Sequence, residues 1–286
     1  MGILRTDIVS HSQLEGTGSV ALDGTDDYLS IASHSSFAYG TNDFTWELWV
    51  YSDDLSSSIY MIDHGSGDAG IIQYFGNIIR YYNSTTGSGS ALYTGGGSLT
   101  ESVWHHIAVV RNNGFTSLYV DGELRTSGSD SHNYPEASLS IGDYGAHSGN
   151  YEWTGNISNV RITRRAVYKH NFTVPKFELK NIPGTIVLGC QSTTSATDFA
   201  VTPSTVTAAG NATASAFSPD LKKDITDTGV VFDGVTTFDS QAYIVPPSGK
   251  TTERNRGRAI FAGGARTPYK DIQVVDISSG GIARDF

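Results

Sequence analysis

Apolar and polar positions alternate along much of this chain with a period of two, the mark of half-buried strands rather than helices. Phe44-Thr45-Trp46-Glu47-Leu48-Trp49-Val50-Tyr51 puts Phe44, Trp46, Leu48 and Val50 on one face. The opposite face carries Thr45 and Glu47 beside Trp49 and Tyr51, so it is not simply solvated. Further strands are predicted at 20–22, 28–31, 59–63, 70–75, 77–83, 90–94, 104–111, 116–120, 123–125, 138–142, 155–163 and 185–190, separated by turn residues. The second strand of the 104–120 hairpin runs into Asp121-Gly122, a dipeptide suited to the positive φ values of a type I′ turn. Arg164–Lys169 reads as a short irregular or helical piece. About a dozen strands between residues 19 and 191 predict an all-β, two-sheet sandwich.

After Cys190 the texture changes. Residues 192–229 are rich in Ser, Thr and Ala, broken by apolar residues such as Phe199, Val201, Val206 and Phe217, and read as a linker or a strand pair. Val230-Val231-Phe232-Asp233-Gly234 echoes Val20-Ala21-Leu22-Asp23-Gly24, and strands are predicted at 257–264 and 272–277. The pattern runs to Phe286 without a stop signal, as expected of the front of a longer polypeptide.

Composition narrows the function. Nineteen Lys and Arg against twenty-nine Asp and Glu leave a net charge of −10. So acidic a chain repels nucleic acid and anionic lipid. One cysteine, Cys190, excludes an internal disulfide framework and a thiolate metal cluster, and reads as a small buried hydrophobe on the last strand. No run of about eighteen apolar residues marks a membrane span, and the first twenty residues lack the apolar core of a secretory signal. The protein is expected to be made in a cytoplasm.

Segments from Gly18 to Ser192 resemble the laminin-G-like, concanavalin A-like sandwich found in virion structural proteins of marine tailed phages, cyanobacterial phages above all. The matching elements are Val20–Leu29, Asp43–Val50, Trp104–Arg111, Leu118–Gly122, Gly155–Thr163, Tyr168, Phe172, Pro175 and the strand into Cys190-Gln191-Ser192. Met1–Asp7 is similar to the start of such proteins, and 246–286 resembles the first copy of their Gly-Gly-rich repeat. The resemblance implies a jelly-roll sandwich over 19–191 with a C-terminal β extension starting at 230. It implies a tether at 1–18 that docks on other virion proteins, and a particle-surface role as tail fibre, adhesin or head decoration. A trimer is one assembly open to such a fibre, although no heptad run marks a trimerisation motif.

Glucanases of the concanavalin-like fold use two carboxylic acids, about 5–5.5 Å apart in retaining enzymes. Here the closest glutamates in sequence, Glu123 and Glu136, stand thirteen positions apart and no strand alternates carboxylates, so a non-enzymatic protein is expected, with a virion-borne depolymerase as the alternative. His105-His106 point to opposite faces of a strand and cannot chelate one ion; one is expected inward and one on the surface.

Asp23, Asp26 and Asp27 form an acidic loop whose hard oxygens suit Ca²⁺, or whose carboxylates cap backbone N–H groups; Asp63, Asp68 and Asp143 are looser candidates. No other cofactor is implied. For a host surface glycan, rings to stack on and polar groups to hold hydroxyls are offered by Tyr74, Tyr81 and Tyr82 and by the Gly-rich loop Asp143–Tyr151, with Asp143, Tyr144, Asn150 and Tyr151 as candidate contacts. Trp46, Trp104 and Trp153 are assigned to the core.

Overall fold

The computed structural model describes residues 17–65, 70–83, 91–93, 99–145 and 151–221, and three further strands at 258–262, 272–276 and 284–285. Up to residue 221 the elements are β1 (Ser19–Asp23), β2 (Tyr28–Ile31), β3 (Phe44–Tyr51), β4 (Ile59–His64), β5 (Ile71–Phe75), β6 (Ile78–Tyr82), β7 (Ala91–Tyr93), β8 (His105–Asn112), β9 (Phe115–Val120), β10 (Glu123–Ser129), β11 (Leu139–Ile141), β12 (Thr154–Thr163), β13 (Thr185–Gly189), β14 (Val206–Ala209) and β15 (Thr213–Ser215). They form two antiparallel sheets. One runs β10-β9-β8-β3-β12-β1-β15, with β13 also pairing β12, and the other runs β14-β2-β11-β4-β5-β6-β7. This is the all-β, two-sheet sandwich that the alternation predicted, in the jelly-roll form that the resemblance implied.

β3 lies between β8 and β12, and its alternation decides what each face meets. Phe44, Trp46, Leu48 and Val50 enter the core between the sheets, where Trp46 is fully enclosed beside Phe44, Tyr39 and Tyr81. Truncating such a residue to alanine costs about 3–5 kcal/mol. Trp153 is likewise fully buried. Trp104 is not: it is half-buried, packed against Tyr51 at 5.5 Å and Phe217 at 5.4 Å. Val50 pairs with His105, so the next position out matches Trp104 to Tyr51 on the outer face.

That outer face is covered by the stretch Arg164–Phe172, which is irregular rather than helical. Thr45 pins it, its hydroxyl donating to the Arg165 carbonyl (2.8 Å) and accepting from the Val167 N–H (2.9 Å). Tyr168 and Phe172 stack at 3.6 Å and close a small second core over Ala108, Val110 and Tyr119. The predicted hairpin turn is present, with φ of 52° at Asp121 and 79° at Gly122. A side chain at Gly122 would collide with the Phe172 carbonyl, so this glycine serves both the turn and the close approach of the covering segment.

Residues 206–215 form two strands joined by a tight turn and entering different sheets: β14 pairs β2 and β15 pairs β1. Cys190 is buried on leaving β13, as expected. Within 229–286 a separate unit contains β16 (Arg258–Ala262), β17 (Ile272–Asp276) and β18 (Arg284–Asp285), paired antiparallel in that order. Residues 1–16 of the expected tether and the Val230–Gly234 echo lie outside the described residues.

Candidate functional site

The outer face of the seven-stranded sheet is where polar and aromatic side chains collect. Register places Tyr60 opposite Gln73 and Gln73 opposite Arg80, and Asp63 opposite Ile71 and Ile71 opposite Tyr82. Residues directly opposite share a face. Arg80 donates to the Gln73 side chain (2.6 Å) and lies over the Phe75 ring at 4.4 Å. A shift in register between Tyr60 and Ile62 keeps Ile59, Met61 and Ile62 in the core while Tyr60 turns outward.

The connection from β11 to β12 folds back across this face. Gly142 N–H donates to the Met61 carbonyl (3.0 Å), Gly145 N–H to an Asp63 carboxylate oxygen (2.7 Å), and Tyr60 N–H to the Tyr151 carbonyl (2.9 Å). The result is a cluster of three rings: Tyr60 to Tyr144 at 5.3 Å, Tyr60 to Tyr151 at 5.2 Å and Tyr144 to Tyr151 at 6.1 Å. Tyr144 and Tyr151 are half-buried. Burial, reinforced by Asp63 and the neighbouring phenols against Arg80, pushes the Tyr60 hydroxyl up to about 12, so it is a neutral phenol near pH 7. Asp143 and Glu152 hold the two ends of the loop, accepting from the Tyr144 N–H (2.5 Å) and the Tyr151 N–H (2.9 Å).

Of the residues predicted to touch a glycan, Tyr144 and Tyr151 are brought together, Asp143 is buried at their base, and Tyr82 lies half-buried on the same face. Asn150 lies outside the described residues. Tyr81 is a correction. It faces the core, its hydroxyl 2.6 Å from that of Tyr134, with burial holding it well above the ordinary tyrosine value. Adjacent residues on a strand face opposite ways, and the register gives the outside to Tyr82. Tyr74 is inward too, bonded to the Asn77 side chain (3.3 Å). Tyr60 was missed, because the register shift at Ile62 leaves no trace in a simple alternation.

Asp23, Asp26 and Asp27 are brought together, with one carboxylate oxygen of each within 4.8 Å of the others. The 206–215 segment turns against them. Asp27 accepts from the Asp23 N–H (2.9 Å) and from the Asn211 N–H (2.6 Å), and Asp23 accepts from the Thr25 N–H (2.8 Å). With its amide nitrogen turned toward the aspartates, Asn211 donates to Asp23 (3.1 Å) and Asp27 (2.8 Å). The capping role of Asp23 and Asp27 is therefore visible, and the spacing of the three carboxylates' oxygens also suits a hard cation.

A second carboxylate, Glu47, is sealed under the 164–172 segment. Arg161 donates to its Oε1 twice (2.9 and 2.6 Å) and Tyr168 to its Oε2 (2.7 Å). His106 is the fully buried histidine of its pair, turned to the outer face beneath Tyr168 and Phe172 rather than into the core between the sheets, and lies 3.4 Å from Oε2, outside good hydrogen-bond geometry. His105 is the half-buried one, 2.7 Å from Asp121. Burial raises the Glu47 carboxyl, and His106, Arg161 and Tyr168 together outweigh it, so the group is held below its ordinary value.

Residues 23–170 match the family described as the concanavalin A-like lectin/glucanases superfamily. No curated protein matches the chain in sequence. Among solved structures, a Bacteroides ovatus protein assigned to carbohydrate binding superposes with a TM-score of 0.57 at 15% identity, over 74% of this chain and 63% of its own. The chain thus spans less than two thirds of that protein, and the likeness is one of fold. A heptameric SAP-like pentraxin from Limulus polyphemus gives 0.44 at 12% identity, over 55% of this chain and 80% of its own. The CBM40 domain of a Ruminococcus gnavus sialidase, bound to α2,3-sialyllactose, gives 0.41 at 12% identity, over 52% and 92%.

Proposed function

Because this chain belongs to the concanavalin A-like lectin/glucanase superfamily, we propose that its sandwich is a carbohydrate-binding, lectin-like module without hydrolytic activity. The observation that carries the reading is the cluster Tyr60–Tyr144–Tyr151, three rings on an outer sheet face with the carboxylates of Asp63, Asp143 and Glu152 rooted around them. Rings of this kind stack on the apolar face of a sugar while nearby polar groups take its hydroxyls. Hydrolysis is not part of the proposal, since the strand glutamate Glu47 is enclosed and doubly bonded.

The finer reading is a protein on the surface of a virus particle, as tail fibre or adhesin, or as head decoration. Its support is the resemblance of Met1–Asp7 and 246–286 to phage virion proteins. Calcium at Asp23, Asp26 and Asp27 belongs to the same proposal, supported by the spacing of their oxygens.

A glycan array probed with the whole chain, and with Tyr144→Ala and Tyr151→Ala, tests the binding. Loss of signal in both variants supports the site; an array without signal removes the lectin reading. Release of reducing sugar from an envelope polysaccharide would put a depolymerase in its place. Immunogold labelling of particles separates tail from head, and unlabelled particles would remove the virion reading.

A further inference from the structure

Next to the tyrosine cluster the same sheet face carries a line of hydroxyls. Thr207 on β14 is opposite Ser30 on β2, Ser30 is opposite Ser140 on β11, and Ser140 is opposite Asp63 on β4. Their neighbours Leu29, Ile31, Leu139 and Ile141 all belong to the core, so this row points away from it. At about 4.8 Å per strand the groups form a ladder across four strands.

A depression of about 250 Å³ opens over this row, lined by Ser30, Ser138, Ser140, Thr205 and Thr207, with Gly145 at its edge. Among the described residues no cationic side chain lines it. Gly145 is also the residue whose N–H is held by Asp63, so the depression and the tyrosine loop share a wall. Ser140 lies at the floor, only 3% exposed, and its hydroxyl has no hydrogen-bond partner. A buried hydroxyl left unpaired is unfavourable, and a ligand hydroxyl arriving there relieves it.

We propose that this depression is the subsite for one ring of an uncharged sugar, and that it selects neutral glycans over their uronate counterparts. The inference rests on the lectin reading above and names the ligand class of that face. Its lining offers hydroxyls that donate to and accept from sugar hydroxyls in turn. A ligand carboxylate would find no cation among the described lining residues to compensate it, and would approach the Asp63 carboxylate inside a protein of net charge −10.

The test uses the whole chain and tetrasaccharides of glucose, mannose and galactose, each measured by calorimetry against the matching uronate. The expected result is binding of at least one neutral tetrasaccharide with its uronate tenfold weaker or worse. Ser140→Ala and Thr207→Val should weaken the neutral ligand about tenfold, with melting temperatures equal to or above the wild-type value because no native hydrogen bond of Ser140 is lost. Equal affinity for a neutral sugar and its uronate overturns the proposal. So does wild-type affinity in Ser140→Ala and Thr207→Val when Tyr144→Ala has lost binding, an outcome that leaves the lectin reading intact. Failure of every tetrasaccharide to bind, together with a silent glycan array, overturns both.

Discussion

The backbone N–H of Gly145 donates to a carboxylate oxygen of Asp63 at 2.7 Å, joining the β11–β12 loop to the middle of a sheet eighty-two residues earlier in the chain. Asp63 is fully buried and Gly145 half-buried, so the bond is partly shielded from water. Asp63→Ala leaves that N–H unpaired and should destabilise the protein by about 1–3 kcal/mol. Because the loop carries Tyr144 and Tyr151, the same variant should also weaken glycan binding. Urea unfolding and calorimetry on one preparation check both effects.

Arg161 and Glu47 form a buried pair whose two members are unequal to remove. Arg161→Leu strands a carboxylate beneath the 164–172 segment and should cost about 3–5 kcal/mol. Glu47→Leu combined with Arg161→Leu should recover much of that loss, since neither charge is then left alone. A double-mutant cycle by urea denaturation measures the coupling; additive losses would show that the pair contributes no coupling.

Acid should loosen this face first. Burial raises the Glu47 carboxyl, but His106, Arg161 and Tyr168 leave it below its ordinary value of 4.5. Burial likewise raises Asp121, while His105 and the His106 N–H bring it below 3.8. A carboxyl whose folded value lies below its unfolded one adds stability that is complete above the unfolded value and disappears as pH falls through the folded one. Stability should therefore decline from about pH 4.5 downward, and the Glu47→Leu, Arg161→Leu double variant should show a shallower decline. Denaturation curves at stepped pH provide the comparison.

Gly122→Ala should be damaging, because this turn glycine is buried beneath the covering segment. At φ 79° the added methyl costs about 1–2 kcal/mol in backbone strain, and it drives into the Phe172 carbonyl. Loss of the Tyr168–Phe172 stack should appear as a change in near-ultraviolet dichroism, with far-ultraviolet signal retained.

Cys190 should be silent in the folded protein. Burial raises its thiol far above the ordinary value, and it is the only cysteine in the chain. A thiol reagent at neutral pH should find no reactive group in the native protein and one equivalent in concentrated guanidinium. Fast labelling of the native protein would place Cys190 at the surface.

The strand order in sequence, the two faces of β3 and the turn at Asp121-Gly122 were legible in the residues, because alternation and turn chemistry act between neighbours in the chain. So were the burial of Cys190 and the opposed directions of His105 and His106. What the residues left open depended on pairing between distant strands. The choice between Tyr81 and Tyr82 for the outer face came from register, and so did the placement of Trp104 beside Tyr51. Tyr60 reached Tyr144 and Tyr151 through a register shift on β4 and a loop anchored on Asp63, ninety residues separating the first ring from the last. The 206–215 segment belongs to both sheets because it pairs with the edges of β1 and β2, which brings Asn211 to Asp27 and Thr207 into line with Ser30 and Ser140. Local pattern determined which residues could be strands; the tertiary pairing decided which side chains meet on the outer face, because cross-strand partners are set by register and not by proximity in the chain.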